Sequence, residues 1–328
     1  MQMCAEEDAY AQCTSCEESR SILHYVLPIL SNYTCRTRNT RKWYEKAMLD
    51  VIKVIILGIV EGITEWLPIS STGHMILVEQ FLRLNVSEEY WNMFLVVIQL
   101  GAILAVVFLY FPRLWPFTKT NPKETGIFRV MDRKKFVMWL KILISCVPAI
   151  VIGLPFDDWL DEHLYNYPTV ALMLIIYGIL FILIEKRNKK VKPIIRNIDQ
   201  IDYVTALLIG MFQVLALIPG TSRSGATILG GIILGMSRKT ASEYTFFLAI
   251  PVMLGASLLK LVKFGLIFSG FELFLLIVGM LVAFFVSIFA IKFLLKYIRN
   301  HDFTVFGYYR IILGVIVLIY FAVTTLLA

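Results

Sequence analysis

The chain has 328 residues, 58% of them hydrophobic, and a formal net charge of +7. A soluble domain is usually about 45–50% apolar, so this composition excludes an ordinary soluble fold. The positive charge does not indicate a nucleic-acid partner, because the lysines and arginines cluster between apolar runs, as they do in cytoplasmic loops.

The first segment, 1–47, holds four of the five cysteines: Cys4, Cys13, Cys16 and Cys35. Cys13-x-x-Cys16 has no second CxxC and no histidine pair at ligand spacing, so it does not read as a zinc or redox motif. The segment also lacks the apolar core and cleavage site of a signal peptide. We expect 1–47 to be a disordered leader or a mis-assigned start with Met48 as initiator, and 48–328 to be one membrane-embedded domain.

An apolar run, Val51–Val60, then meets EGITEWLPISSTGH, Glu61–His74. Six longer runs follow: Met93–Phe111, Phe136–Phe156, Thr169–Ile184, Thr245–Leu266, Leu273–Leu295 and Val305–Leu327. Each approaches the roughly 20 residues that cross a bilayer core as a helix. The basic stretches 112–135, 185–200 and 296–302 read as cytoplasmic, and the acidic connection 157–167 as external. The fold class is therefore an all-α polytopic membrane protein with about six transmembrane helices.

The chain also repeats itself at an offset of about 152 residues. Gly58, Glu61, Pro68, Ser70 and Gly73 answer to Gly210, Gln213, Pro219, Ser222 and Gly225, and a Gly-Ala pair follows each set (Gly101-Ala102, Gly255-Ala256). Repeat 1 covers about 48–200 and repeat 2 about 201–328. Each opens with an apolar run broken by proline or glycine. Freed backbone groups are tolerated at membrane depth only where protein or a wet cavity covers them. Both segments therefore read as re-entrant hairpins. The loop charges invert the second repeat relative to the first, which brings the two polar tips together near the midplane.

At the first tip, Glu61 and Glu65 share a helix face at i, i+4. Two carboxylates at this depth must share a proton, bind a divalent cation or face a cationic group. Ser70, Ser71, Thr72 and His74 follow. One hydroxyl is accounted for as a helix N-cap, and a histidine beside serines can serve as general acid or base for a hydroxyl nucleophile. At the second tip, Pro219–Thr227 reads PGTSRSGAT, and Arg223 is the only charged residue between Asp202 and Arg238. Ser222, Ser224, Thr227 and the turn amides around an arginine fork suit phosphate oxygens.

EGITE (Glu61–Glu65), SSTGH (Ser70–His74) and PGTSRSGAT (Pro219–Thr227) resemble the two signature regions of the undecaprenyl-diphosphate phosphatases of the bacitracin-resistance type. The resemblance covers about 48–328; segment 1–47 has no counterpart in it. It implies hydrolysis of a polyprenyl diphosphate lipid to its monophosphate, which recycles the carrier for cell-wall synthesis and confers bacitracin resistance. It further implies a location in the bacterial inner membrane, a divalent cation (Mg²⁺ or Ca²⁺) at Glu61 and Glu65, and a homodimer. The implied catalytic residues are Glu61, Glu65, Ser71, His74 and Arg223; the implied substrate-binding residues are Ser70, Thr72, Ser222, Ser224 and Thr227. A lipid-phosphate transporter or flippase is the rival reading, because broken inverted repeats also build transporters. A non-enzymatic protein that only binds a lipid phosphate is the third.

Overall fold

The computed structural model describes residues 38–117, 130–265 and 267–327. The chain divides into two units, Met1–Met48 and Leu49–Ala328. Residues 1–37 of the expected leader, its four cysteines included, lie outside the described residues, as do Lys119, Lys123 and Arg129 of the first basic stretch.

The described residues are helical apart from connections and two isolated β-bridges. In chain order the helices are α1 (Arg38–Thr64), α2 (Ser71–Leu82), α3 (Glu88–Val97), α4 (Gln99–Leu114), α5 (Arg133–Leu164) and α6 (Tyr167–Asn188). They continue with α7 (Tyr203–Val214), α8 (Arg223–Ile233), α9 (Arg238–Phe264), α10 (Gly270–Asn300) and α11 (Thr304–Leu327). Most starts are set by a short polar residue accepting from a backbone N–H inside the first turn: Ser87, Asn166, Asp202, Ser237 and Ser269 all do so. Such caps each contribute about 1 kcal/mol.

Six segments are long and apolar enough to cross a membrane: Glu88–Leu114, Arg133–Gly153, Tyr167–Asn188, Arg238–Phe264, Gly270–Asn300 and Thr304–Leu326. These are the six expected runs, with two differences in detail. The first is a pair of helices, α3 and α4, joined at Ile98. The joint precedes Gly101, where a Cβ would stand 2.0 Å from the Met280 carbonyl oxygen, so α4 leans against the α10 backbone. The acidic connection 157–167 is also mostly helical, because α5 runs on to Leu164.

The basic stretches gather at one end of the bundle. There Arg238 Nε (2.8 Å) and the Phe303 N–H (3.2 Å) both donate to the buried Glu185 carboxylate, Arg113 pairs with Glu243 at 3.1 Å, and Lys189 pairs with Asp302 at 3.3 Å. At the opposite end Tyr90 OH donates to Glu272 O (2.7 Å), and Gln80 Nε2 to Tyr167 OH (2.6 Å). The end of α2 returns to the Asp50–Lys53 turn of α1 at this second end, where Asp50 accepts from Asn85 N (3.3 Å) and Lys53 Nζ donates to Arg83 O (2.7 Å). The α7/α8 pair starts and finishes at the basic end, where the Ile194 and Ile195 N–H groups donate to Gly235 O at 2.9 and 3.0 Å.

The repeat is visible in packing. Gly58 and Gly210 each lie against a neighbouring helix backbone; a Cβ would meet Gly279 O at 2.9 Å and Ser145 O at 2.5 Å. Helices α6 and α11 pack antiparallel through a reciprocal contact, a Cβ on Gly178 or on Gly307 standing 2.7 Å from the other's carbonyl oxygen. Small residues that let two backbones approach this closely are how helices associate where lipid removes the hydrophobic drive. The Gly-Ala pairs do not share this behaviour. Gly101 is tightly packed, whereas nothing lies within 4 Å of a Cβ at Gly255.

Candidate active site

The two broken helix pairs end in turns built alike. Ser70 and Ser222 are the non-glycine residues with positive φ among the described residues, at 73° and 70°. Each caps the helix after it: Ser70 Oγ accepts from Gly73 N at 3.3 Å, and Ser222 Oγ from Gly225 N at 3.2 Å. A β-carbon in this backbone region costs on the order of 1–3 kcal/mol and persists only where surrounding contacts dictate it, a pattern that clusters at active sites.

The turns place side chains from both repeats together. Glu65, nearly buried, accepts from Arg223 Nη2 at 3.0 Å on one oxygen and from Ser71 Oγ at 2.9 Å on the other. Arg223 Nη1 donates to Thr245 O at 3.0 Å, and its Nε–H has no partner among the described residues. Ser224 Oγ donates to Glu65 O at 3.1 Å and lies 3.1 Å from Ser222 Oγ. Thr227 Oγ1 donates to Arg223 O at 2.8 Å and pairs with Thr245 Oγ1 at 2.9 Å. Thr72 stands half-buried in the first turn of α2.

Glu61 sits one helical turn before Glu65, 1% exposed, and its Oε1 has no hydrogen-bond partner among the described residues. Its repeat counterpart Gln213 is 3% exposed with both amide atoms unpartnered. A buried polar atom without a partner costs about 1–3 kcal/mol. Glu61 therefore stands as an open oxygen donor beside a filled one.

His74 is placed differently from what its spacing suggested. Its Nδ1 lies 2.7 Å from Ser70 O and its Nε2 2.7 Å from Tyr309 OH, with the two rings stacked at a 10° interplanar angle. With Nδ1–H donating to the carbonyl, Nε2 accepts from the tyrosine. Ser71 instead donates to Glu65, so the structure pairs the hydroxyl with a carboxylate and the imidazole with α11.

Three neighbours escaped the sequence reading. Thr245, from α9, supplies a carbonyl and a hydroxyl, but nothing sets it apart from other threonines in apolar helices. Tyr309 and Arg310 lie in α11. Arg310 is the one charged residue of Thr304–Leu327, and an ionisable residue inside an apolar span is by default a functional candidate.

The fold and the site define an all-helical polytopic membrane protein whose two broken helix pairs meet in a carboxylate–hydroxyl–arginine centre. Residues 54–316 match the family described as bacitracin resistance protein BacA, and the chain belongs to that family. It is 62% identical over 275 residues to the undecaprenyl-diphosphatase of Acetivibrio thermocellus, covering 84% of this chain and 98% of the relative. The undecaprenyl-diphosphatase of Desulfitobacterium hafniense is 59% identical over 282 residues (86% and 99%), and that of Enterococcus faecalis 55% over 275 residues (84% and 98%).

Proposed function

We propose that this protein hydrolyses undecaprenyl diphosphate to undecaprenyl phosphate and phosphate in the bacterial inner membrane. That reaction recycles the lipid carrier of cell-wall synthesis and supports bacitracin resistance. The observation that carries the reading is the Arg223–Glu65–Ser71 chain, assembled from two repeats at two capped turns. The shared family and the names of relatives that are 55–62% identical support it.

The residues divide the work by chemistry. Arg223 presents its unpartnered Nε–H and the remaining hydrogens of its terminal nitrogens to phosphate oxygens, over which charge spreads during transfer. Glu65, held on one oxygen by Arg223, is placed to receive the Ser71 proton on the other. Ser71 is then the nucleophile the geometry favours: its Oγ bonds the terminal phosphorus as the bridging P–O bond breaks and undecaprenyl phosphate leaves. Water then attacks the phosphoserine to release phosphate, and Ser71 Oγ takes its proton back from Glu65; trapping a phosphoserine at that position tests it. His74, with Nδ1–H fixed on Ser70 O, has Nε2 free to take up a proton in place of the one it accepts from Tyr309 OH, and so serves as the second proton acceptor of the site. Ser70 and Ser222 fix the turns, and Ser224 and Thr227 hold the second turn against Glu65 and α9.

A divalent cation, Mg²⁺ or Ca²⁺, fits this donor set. Glu61 offers a buried carboxylate oxygen without a partner, and hard cations take one or two carboxylates plus phosphate oxygens. Glu61 and Glu65 would hold it, and when bound it would neutralise diphosphate charge. We further read the α1/α2 and α7/α8 pairs as re-entrant hairpins, supported by the end of α2 returning to Asp50 and the end of α8 returning to the 194–195 segment ahead of α7. The homodimer implied by the resemblance belongs to the same proposal.

The test is release of inorganic phosphate from undecaprenyl diphosphate by the purified protein in detergent with Mg²⁺. Turnover supports the phosphatase. Lipid movement across proteoliposomes without phosphate release would favour the transporter reading.

A further inference from the structure

Arg310 is fully buried in α11, and no carboxylate lies within ion-pair distance of it among the described residues. Its guanidinium carbon lies 5.5 Å from the centre of the Tyr177 ring on α6. Its terminal nitrogens are spent on backbone: Nη1 donates to Pro68 O at 3.3 Å, and Nη2 to Gly220 O and Thr221 O, each at 2.8 Å. Counted back from the positive-φ serines Ser70 and Ser222, the place of Pro68 is taken in the second repeat by Gly220 and not by Pro219, each lying two residues before its serine. One planar fork thus grips equivalent carbonyls of both turns.

The repeat shows what stands there without the arginine. A Cβ on Gly73 would meet Leu174 of α6 at 3.0 Å, just as a Cβ on Gly225 would meet Arg310 Nη1 at 3.1 Å. The first turn thus meets an aliphatic side chain of α6 where the second meets the Arg310 fork of α11. An unpaired buried cation is expensive, and three carbonyl acceptors offset that cost only in this arrangement.

We infer that Arg310 is a positioning residue for phosphate hydrolysis: it locks the two turns to each other, and so sets the separation of Ser71, Glu65 and Arg223. This rests on the phosphatase reading above. Lysine keeps the charge but offers one ammonium in place of a fork, so it cannot hold Pro68 O and Gly220 O at once. A displacement of about 1 Å away from the chemistry can cost about 10²-fold in rate.

The experiment compares wild type with Arg310→Lys in detergent by phosphate release and by hydrogen–deuterium exchange of peptides covering 66–74 and 218–226. Expected is a monodisperse, folded variant whose kcat falls by roughly 10²-fold while KM changes less than about threefold. Exchange should rise about tenfold in both turns together and not elsewhere. A merely stabilising arginine would lower the melting temperature and leave kcat of the folded fraction unchanged, and that result overturns the inference. So does loosening of one turn alone. Wild type without phosphate release would sink the phosphatase reading, while the exchange data would still decide whether Arg310 ties the turns. Should Arg310→Lys not fold, Gly225→Ala pushes on Nη1 with the arginine retained. The same paired effects support the inference, and their absence overturns it.

Discussion

Replacing Arg223 by lysine separates a cation that merely balances carboxylates from a fork that holds phosphate. In the structure Arg223 spends one terminal nitrogen on Glu65 Oε1 and the other on Thr245 O, both at 3.0 Å. A lysine ammonium satisfies one of these. Keeping the Glu65 pair forfeits the bond to the Thr245 carbonyl, and keeping Thr245 forfeits the bond to Glu65; either is a bond to a charged group, worth about 1.5–3 kcal/mol. Either way Nε–H, the donor with no partner in the protein, disappears. Losing one preorganised donor to a developing negative charge costs about 2.7–4 kcal/mol, or 10²–10³ in kcat. We expect Arg223→Lys to fold, to melt a few degrees lower, and to lose at least about 10²-fold in kcat with a smaller change in KM. The assay is phosphate release at saturating and limiting substrate, with thermal unfolding in parallel. A lysine variant within about threefold of wild-type kcat would refute the phosphate clamp, since charge alone would then suffice.

Other outcomes follow from the same geometry. EDTA should abolish turnover reversibly, and Glu61→Gln should weaken the response to added Mg²⁺ as well as the rate; full turnover in EDTA would remove the cation from the mechanism. His74→Ala should lower kcat by roughly 10²–10⁴-fold, and Tyr309→Phe should shift the pH–rate profile by removing the partner of Nε2. An unaltered profile in Tyr309→Phe would make the pair a packing contact. Gly101→Ala places a Cβ 2.0 Å from Met280 O and should destabilise the fold by at least about 1–3 kcal/mol in thermal melts, with no effect on KM of the surviving protein.

The helices and the meeting of the two tips were legible because lipid imposes blunt rules. Six apolar runs had to be helices, and the basic stretches between them share one end of the bundle. Glu61 and Arg223 were readable because each is an ionisable group where apolar residues prevail. What could not be read was direction. Spacing put His74 beside Ser71, but on α2 the imidazole turns toward Tyr309 and the serine toward Glu65. Rotamers follow packing against helices distant in the chain, which no local pattern encodes. Arg310 is a different omission. Its sequence signal was as strong as that of Arg223, but no motif of hydroxyls and glycines surrounded it, because its partners are carbonyls more than 80 residues away. The break at Ile98 was also invisible, since neither proline nor glycine stands at the joint.

The two turns are alike in backbone and unlike in cargo. One brings Glu61, Glu65 and Ser71; the other brings Arg223 to the place Ser71 holds, with Gln213 in place of Glu61. The candidate centre is divided between the two halves of the chain. A protein divided within 185–200 and expressed as two fragments should be silent until they find each other in the bilayer, and phosphate release would then count assembled pairs without any label.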